Sequence, residues 1–181
     1  RPISLASRWE RWFKVVVACK PSTACGSEEH WFREGSLLDP SSLSFESVVY
    51  ADGTRYVFQN WSSGPATVNS PLTIYKLYKV QHRVRVEPGE GRAWVVEGEW
   101  VDEGSIATVK VESPRFGFPI QTVLDRFYVE GGNIVEQDLS AGWIRVQVNR
   151  PSTVYVAWRR DYTLLYALIA VLAAAGGAFL I

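Results

Sequence analysis

The chain has 181 residues, balances 19 basic against 19 acidic side chains, and is 47% hydrophobic and 13% aromatic. Zero formal net charge leaves no basic footprint for nucleic acid, and the apolar content excludes a disordered chain. Eight each of Trp, Tyr and Phe, with fourteen glycines, favour short strands and tight turns in one or two domains.

In chain order, residues 1–17 read RPISLASRWERWFKVVV, where Pro2 opens an extended segment that ends at Trp9 and leads into a valine-rich strand. The arrangement returns at 68–86, VNSPLTIYKLYKVQHRVRV, from Pro71 to Tyr78. It returns again at 148–162, VNRPSTVYVAWRRDY, from Pro151 to Trp158. A shift of 69 lays Pro2 on Pro71, Val15 on Val84, Val17 on Val86 and WFREGS (31–36) on WVDEGS (100–105). By Val68-Asn69-Ser70-Pro71 against Val148-Asn149-Arg150-Pro151 the offset is 80, so the second copy holds about eleven extra residues, expected in loops such as 113–119 and 131–142. These anchors predict a duplicated module. Residues 1–9 form a lead-in strand or the end of a preceding module, 10–77 the first β-module, 78–161 the second, and 162–181 a transmembrane helix. With no Gly/Ser linker between the copies, a stiff junction is expected. A chain that begins at Arg1 and lacks methionine reads as a processed or partial polypeptide.

Within the first module, Cys19 and Cys25 flank Pro21, Ser22 and Thr23, residues suited to a turn. A turn brings two Cα atoms within the ~4.4–6.8 Å a disulfide needs, so a Cys19–Cys25 bond is expected over two loop thiols. Strict alternation in Arg83-Val84-Arg85-Val86, in 108–112 and in 144–148 marks half-buried antiparallel strands. Gly35 and Gly104 recur in the two E-G-S triplets, which predicts a glycine-dependent backbone at both. The fold class is all-β: two tandem small Ig-like β-sandwich modules followed by a C-terminal transmembrane α-helix. Trp31, Trp61, Trp94, Trp100 and Trp143 are expected in core or inter-strand packing, with an aromatic ligand shelf as the sharper alternative.

Residues 162–181, YTLLYALIAVLAAAGGAFLI, carry no charge. Twenty helical residues span about 30 Å, the hydrocarbon thickness of a bilayer. Trp158, Tyr162 and Tyr166 fit an interfacial aromatic belt, and Ala173 with Gly177 gives the small-xxx-small spacing of a helix-packing face, hence a homo-oligomer through the helix. Arg159 and Arg160 before the helix argue for modules inside the cell. The expected disulfide, the modular β build and the glycosylation triplet Asn60-Trp61-Ser62 argue for outside, and the second group prevails.

Chemistry is sparse. His30 and His82 fall at unrelated module positions and are expected on the surface or at strand edges. No nucleophile elbow, phosphate-binding loop or zinc spacing occurs, so no catalytic, cofactor or metal residues are assigned and the chain is not expected to be an enzyme.

The valine-rich strand, the W-[FV]-x-E-G-S motif, RYVFQNWSSG at 55–64, the V-N-x-P-x-T motif and WRRDY at 158–162 together resemble archaeal cell-surface and S-layer-associated proteins, particularly crenarchaeal ones, with tandem β-repeats and a C-terminal anchor. Related phrasing occurs in bacterial surface repeats of the divergent internalin B-repeat kind. The resemblance implies a single-pass cell-membrane protein with extracellular modules. Such a protein would serve as a stalk or anchor, with membrane lipid and other surface-layer or envelope proteins as partners. Two other roles stay open: an accessory single-span subunit or ectodomain of a membrane enzyme or transport complex, and the C-terminal part of a surface-attached hydrolase.

Overall fold

The computed structural model describes residues 8–114 and 117–178. Two compact units emerge, one holding the described residues within Arg1–Ala51 and Arg55–Val80, the other Asp52–Thr54 and those within Gln81–Ile181. The division falls three residues beyond the 77/78 boundary read from the sequence.

Unit 1 begins with β1 (Trp12–Lys20) and β2 (Glu28–Arg33), continues through β3 (Leu37–Leu38), β4 (Val48–Ala51), β5 (Thr54–Trp61) and β6 (Ala66–Thr67), and takes the first half of β7 (Leu72–Glu87). Burial alternates along β1 and puts Val15 and Val17, but not Val16 between them, on the buried face, as the period of two in a strand dictates. Between β1 and β2 the chain turns through residues 21–27, and Cys19 and Cys25 are joined by a disulfide with Cα atoms 5.6 Å apart. β1 pairs antiparallel with β2 and parallel with β7, Val15 lying opposite Leu72 and Val17 opposite Ile74. β3 and β6 form a two-residue ladder of their own. The unit has two small cores: Val15, Val17, Leu38, Val68 and Ile74 in one, and Cys19, Ala24, Tyr56 and Tyr78 in the other.

Unit 2 takes the second half of β7, then β8 (Arg92–Val95), β9 (Trp100–Asp102), β10 (Ile106–Glu112), β11 (Gln121–Glu130), β12 (Asn133–Asp138), β13 (Trp143–Gln147), β14 (Ser152–Asp161) and α1 (Thr163–Ala178). β9, β7, β14 and β11 make one sheet and β12, β13, β10 and β8 the other. One core joins them: Val84, Val101, Phe127, Val154 and Val156 come from the first sheet, and Ala107, Val109, Ile144 and Val146 from the second. Buried aliphatic surface contributes roughly 25 cal/mol per Å², so this valine-rich interior is the principal stabilising feature of the unit.

One set of pairings occurs in both units. Phe13 lies opposite Phe32 and Lys14 opposite Trp31; 69 residues on, His82 lies opposite Val101 and Arg83 opposite Trp100. Gly35 N–H donates to the Val68 carbonyl and Val68 N–H to that of Ser36, while Gly104 donates to Val148 and Val148 to Ser105. Both glycines hold φ near +79°, at +79° and +78°, a region that L side chains rarely adopt. Leu37 faces Thr67 as Ile106 faces Gln147, and Val15 faces Leu72 as Val84 faces Ser152.

Two expectations of side-chain placement require correction, and that of the C-terminal helix is met in part: it is described over 16 residues, about 24 Å at 1.5 Å per residue, of the twenty expected. Among the described residues no helix is long and apolar enough to cross a membrane; residues 179–181 lie outside them. His82 is buried, 6% exposed, because it shares the inward face of β7 with Ile74, Lys76, Tyr78 and Val84. Trp31 and Trp94 are exposed, Trp31 because its place opposite Lys14 puts it on the face away from Val15 and Phe32.

Candidate functional site

The end of unit 2 where β14 passes into α1 holds most of the residues singled out in the sequence. Tyr166 N–H donates to the Tyr162 carbonyl at 3.0 Å, starting the helix. Asp161 secures that start: its Oδ1 accepts from the Thr163 hydroxyl at 2.6 Å and from Thr163 N–H at 2.9 Å. The hydroxyl bond first, and the backbone bond second, hold the Asp161 carboxyl below the usual carboxylate range. Tyr162 and Tyr166 are exposed, with ring centroids 6.4 Å apart. From Thr163 to Ala174 every side chain is exposed except half-buried Leu165, and the helix carries no charged residue. An unpartnered helix that is apolar on every face does not suit water. Ala173 is exposed on it, and Gly177 lies in its last turn.

Trp158, four residues before Tyr162, has a different use. Its indole Nε1 donates to the Pro88 carbonyl at 2.7 Å, and its ring lies flush on Gly89 and Gly91. A Cβ at Gly91 would collide with that ring, so the glycine is there for close approach. The ring is thus part of unit 2 packing. Arg159 and Arg160 are answered by Asp125 at 3.9 Å and Glu90 at 3.4 Å.

His82 Nδ1 is 3.0 Å from the Thr54 hydroxyl, and its Nε2 lies 3.5 Å from the Glu103 carboxylate without hydrogen-bond geometry. The sequence reading missed the burial of Lys76, whose side chain is 6% exposed with its ammonium 3.4 Å from Glu28. Lys76 borders a cleft of about 330 Å³ with Glu28, Glu46 and Tyr78, whose hydroxyl donates to the Glu46 carbonyl at 3.0 Å. Desolvation, then the Glu46 and Glu28 charges, push the Tyr78 phenol up. Period two along Ile74, Lys76 and Tyr78 was the signal for that burial. In unit 2 an open cleft of about 680 Å³ gathers Arg83, Arg85 and Arg150 with Asp52 and Glu130. Arg83 is bound to Glu99 at 2.8 Å, and Arg150 Nε donates to the Gly131 carbonyl at 2.9 Å. Among the described residues no cluster of His, Cys, Asp and Glu has the geometry to hold a metal ion. Asn60 is exposed on β5, and the Ser62 hydroxyl of its triplet accepts from Tyr75 N–H at 2.9 Å.

Comparison with family models, with curated proteins and with solved structures finds no match to this chain.

Proposed function

We propose that the chain is a membrane-attached structural protein of the cell surface, in which α1 enters the lipid bilayer and the β-units stand outside the membrane as an anchor for other envelope proteins. One observation carries this reading: α1 is uncharged and, from Thr163 to Ala174, exposed at every side chain but half-buried Leu165, in a protein whose β-units each bury apolar cores of their own. Exposed apolar surface of that extent is stable where lipid covers it. The described helix is shorter than a bilayer's hydrocarbon core of about 30 Å, and the uncharged run continues in sequence to Ile181. Tyr162 and Tyr166 supply interfacial anchors, and local thinning accommodates a short span.

The Cys19–Cys25 disulfide supports an oxidising, extracytoplasmic setting, and exposed Asn60 is accessible for glycosylation there. The recurring strand registers support two copies of one Ig-like module, a build suited to spacing and attachment. Ala173 and Gly177 would let two anchors pack closely. The test is flotation on phosphatidylcholine vesicles of the full chain against a chain ending at Asp161. The full chain floats and the shortened chain stays in the dense fraction. Equal behaviour of the two chains contradicts the proposal.

A further inference from the structure

Antiparallel pairing sets Gln121, the first residue of β11, opposite Asp161, the last residue of β14. The chain therefore arrives at β11 from the same end of the sheet at which β14 departs into α1. Neighbouring strands lie about 4.8 Å apart, and three residues of extended chain cover at most roughly 11 Å. Phe118, three residues before Gln121, is thereby confined to the neighbourhood of the first turns of α1. It is 77% exposed, more than Tyr166. The turn carrying it is tight: a Cβ at Gly117 would come within 2.7 Å of the Ile120 carbonyl oxygen. Phe118 and Pro119 thus form the tip of a closed turn, held at the root of the helix by the β11–β14 ladder.

We propose that this tip, residues 117–120 with Phe118 at its apex, is a second contact of the protein with the acyl-chain border of the bilayer; the proposal rests on the membrane reading of α1. A lone helix tethers unit 2 at one point. An apolar turn tethered near the start of the helix by strand register adds a second point and sets the tilt of the unit on the membrane. The occupant is lipid and not a helical partner, because the apolar surface on offer is one ring and a proline beside a helix already in lipid. It is not an anionic-lipid site. Arg126 and Arg159 share Asp125, and Arg160 pairs with Glu90, so these cations are engaged within the protein and binding is carried by apolar surface.

The experiment attaches a polarity-sensitive fluorophore to single new thiols in the full chain, at Phe118→Cys, Ile169→Cys on α1, and Ile106→Cys. Ile106 begins β10, at the end of that strand away from Glu112 and the turn, and is exposed like the other two. The native cysteines are bonded to each other and do not react. Each protein is added to phosphatidylcholine vesicles, with and without phosphatidylglycerol, and with acyl-chain quenchers. The expected result is a blue shift with quenching at 118 and 169, none at 106, and no dependence on phosphatidylglycerol. A shift at 169 with a water-like signal at 118 overturns the second contact and leaves the reading of α1 standing. Water-like signals at both overturn the reading of α1 and the second contact with it. A shift at all three positions, or one that needs phosphatidylglycerol, also overturns the proposal, as non-specific adsorption or headgroup binding.

Discussion

In unit 1, Leu38 sits on a ladder of two residues, and a second small core is built around the Cys19–Cys25 disulfide with Tyr56, Phe58 and Tyr78. In unit 2, the equivalent Ala107 sits on a seven-residue strand in a four-stranded sheet. The pairings around these positions are the same, from Lys14–Trp31 and Arg83–Trp100 to the bonds that Val68 exchanges with Gly35 and Ser36, and Val148 with Gly104 and Ser105. What differs is how the corner after the first strand is closed. Unit 1 closes it with the Cys19–Cys25 bond and with Tyr78, Phe58 and Phe45 stacked edge to face or tilted. Unit 2 closes it with Trp158 on Gly89 and Gly91. Tyr78 and Trp158 are equivalent by the 80-residue offset, and each sends its polar atom to a backbone carbonyl, of Glu46 and of Pro88. One frame, with a complete second sheet, needs no covalent tie; the reduced frame has one.

That contrast can be broken from either side. Ile144→Ala removes the largest fully buried side chain of unit 2 and should cost roughly 2–5 kcal/mol, read as lost amide protection confined to residues 81–161. Protection lost equally in unit 1 would argue against separate cores. Gly91→Ala drives a methyl group into the Trp158 ring and should cost ~1–3 kcal/mol, with a changed tryptophan emission. Reducing the Cys19–Cys25 bond should cost about 2 kcal/mol for so short a loop, with faster amide exchange in residues 12–80 and none in unit 2. The smallest effect belongs to Asp161. Its carboxyl pKa is depressed in the folded chain, so its contribution is present above the usual carboxylate range and is lost as pH falls below it. Asp161→Ala should therefore fray Thr163–Tyr166 at neutral pH and abolish the acid-induced fraying seen in the parent, measured by amide exchange at those residues.

Much of the frame was legible before the structure. The two E-G-S triplets and the two V-N-x-P segments are the residues that exchange backbone bonds across each unit, because a glycine at positive φ and an extended residue before proline both leave a mark in sequence. Less legible was side-chain direction where residue type and strand parity disagree. His82 and Lys76 look like surface residues, yet they occupy inward positions of β7; Trp31 looks like core and stands outward. In each, strand parity decided the side, and polar groups on the inner face found partners in Thr54 and Glu28. The β3–β6 ladder left almost no periodic signal, since two residues cannot display a period. The packing of Trp158 was not legible from its place before α1 either. Its partners Gly89 and Gly91 lie about 70 residues away, out of reach of any local reading.

The membrane role of α1 is tested most directly by amide hydrogen exchange of the full chain with and without phosphatidylcholine vesicles. Vesicles should strongly slow exchange from Leu164 through Val171, because amides in the hydrocarbon core lose access to water, while protection in β1 and β13 stays unchanged. Equal exchange of α1 in both conditions would contradict its insertion.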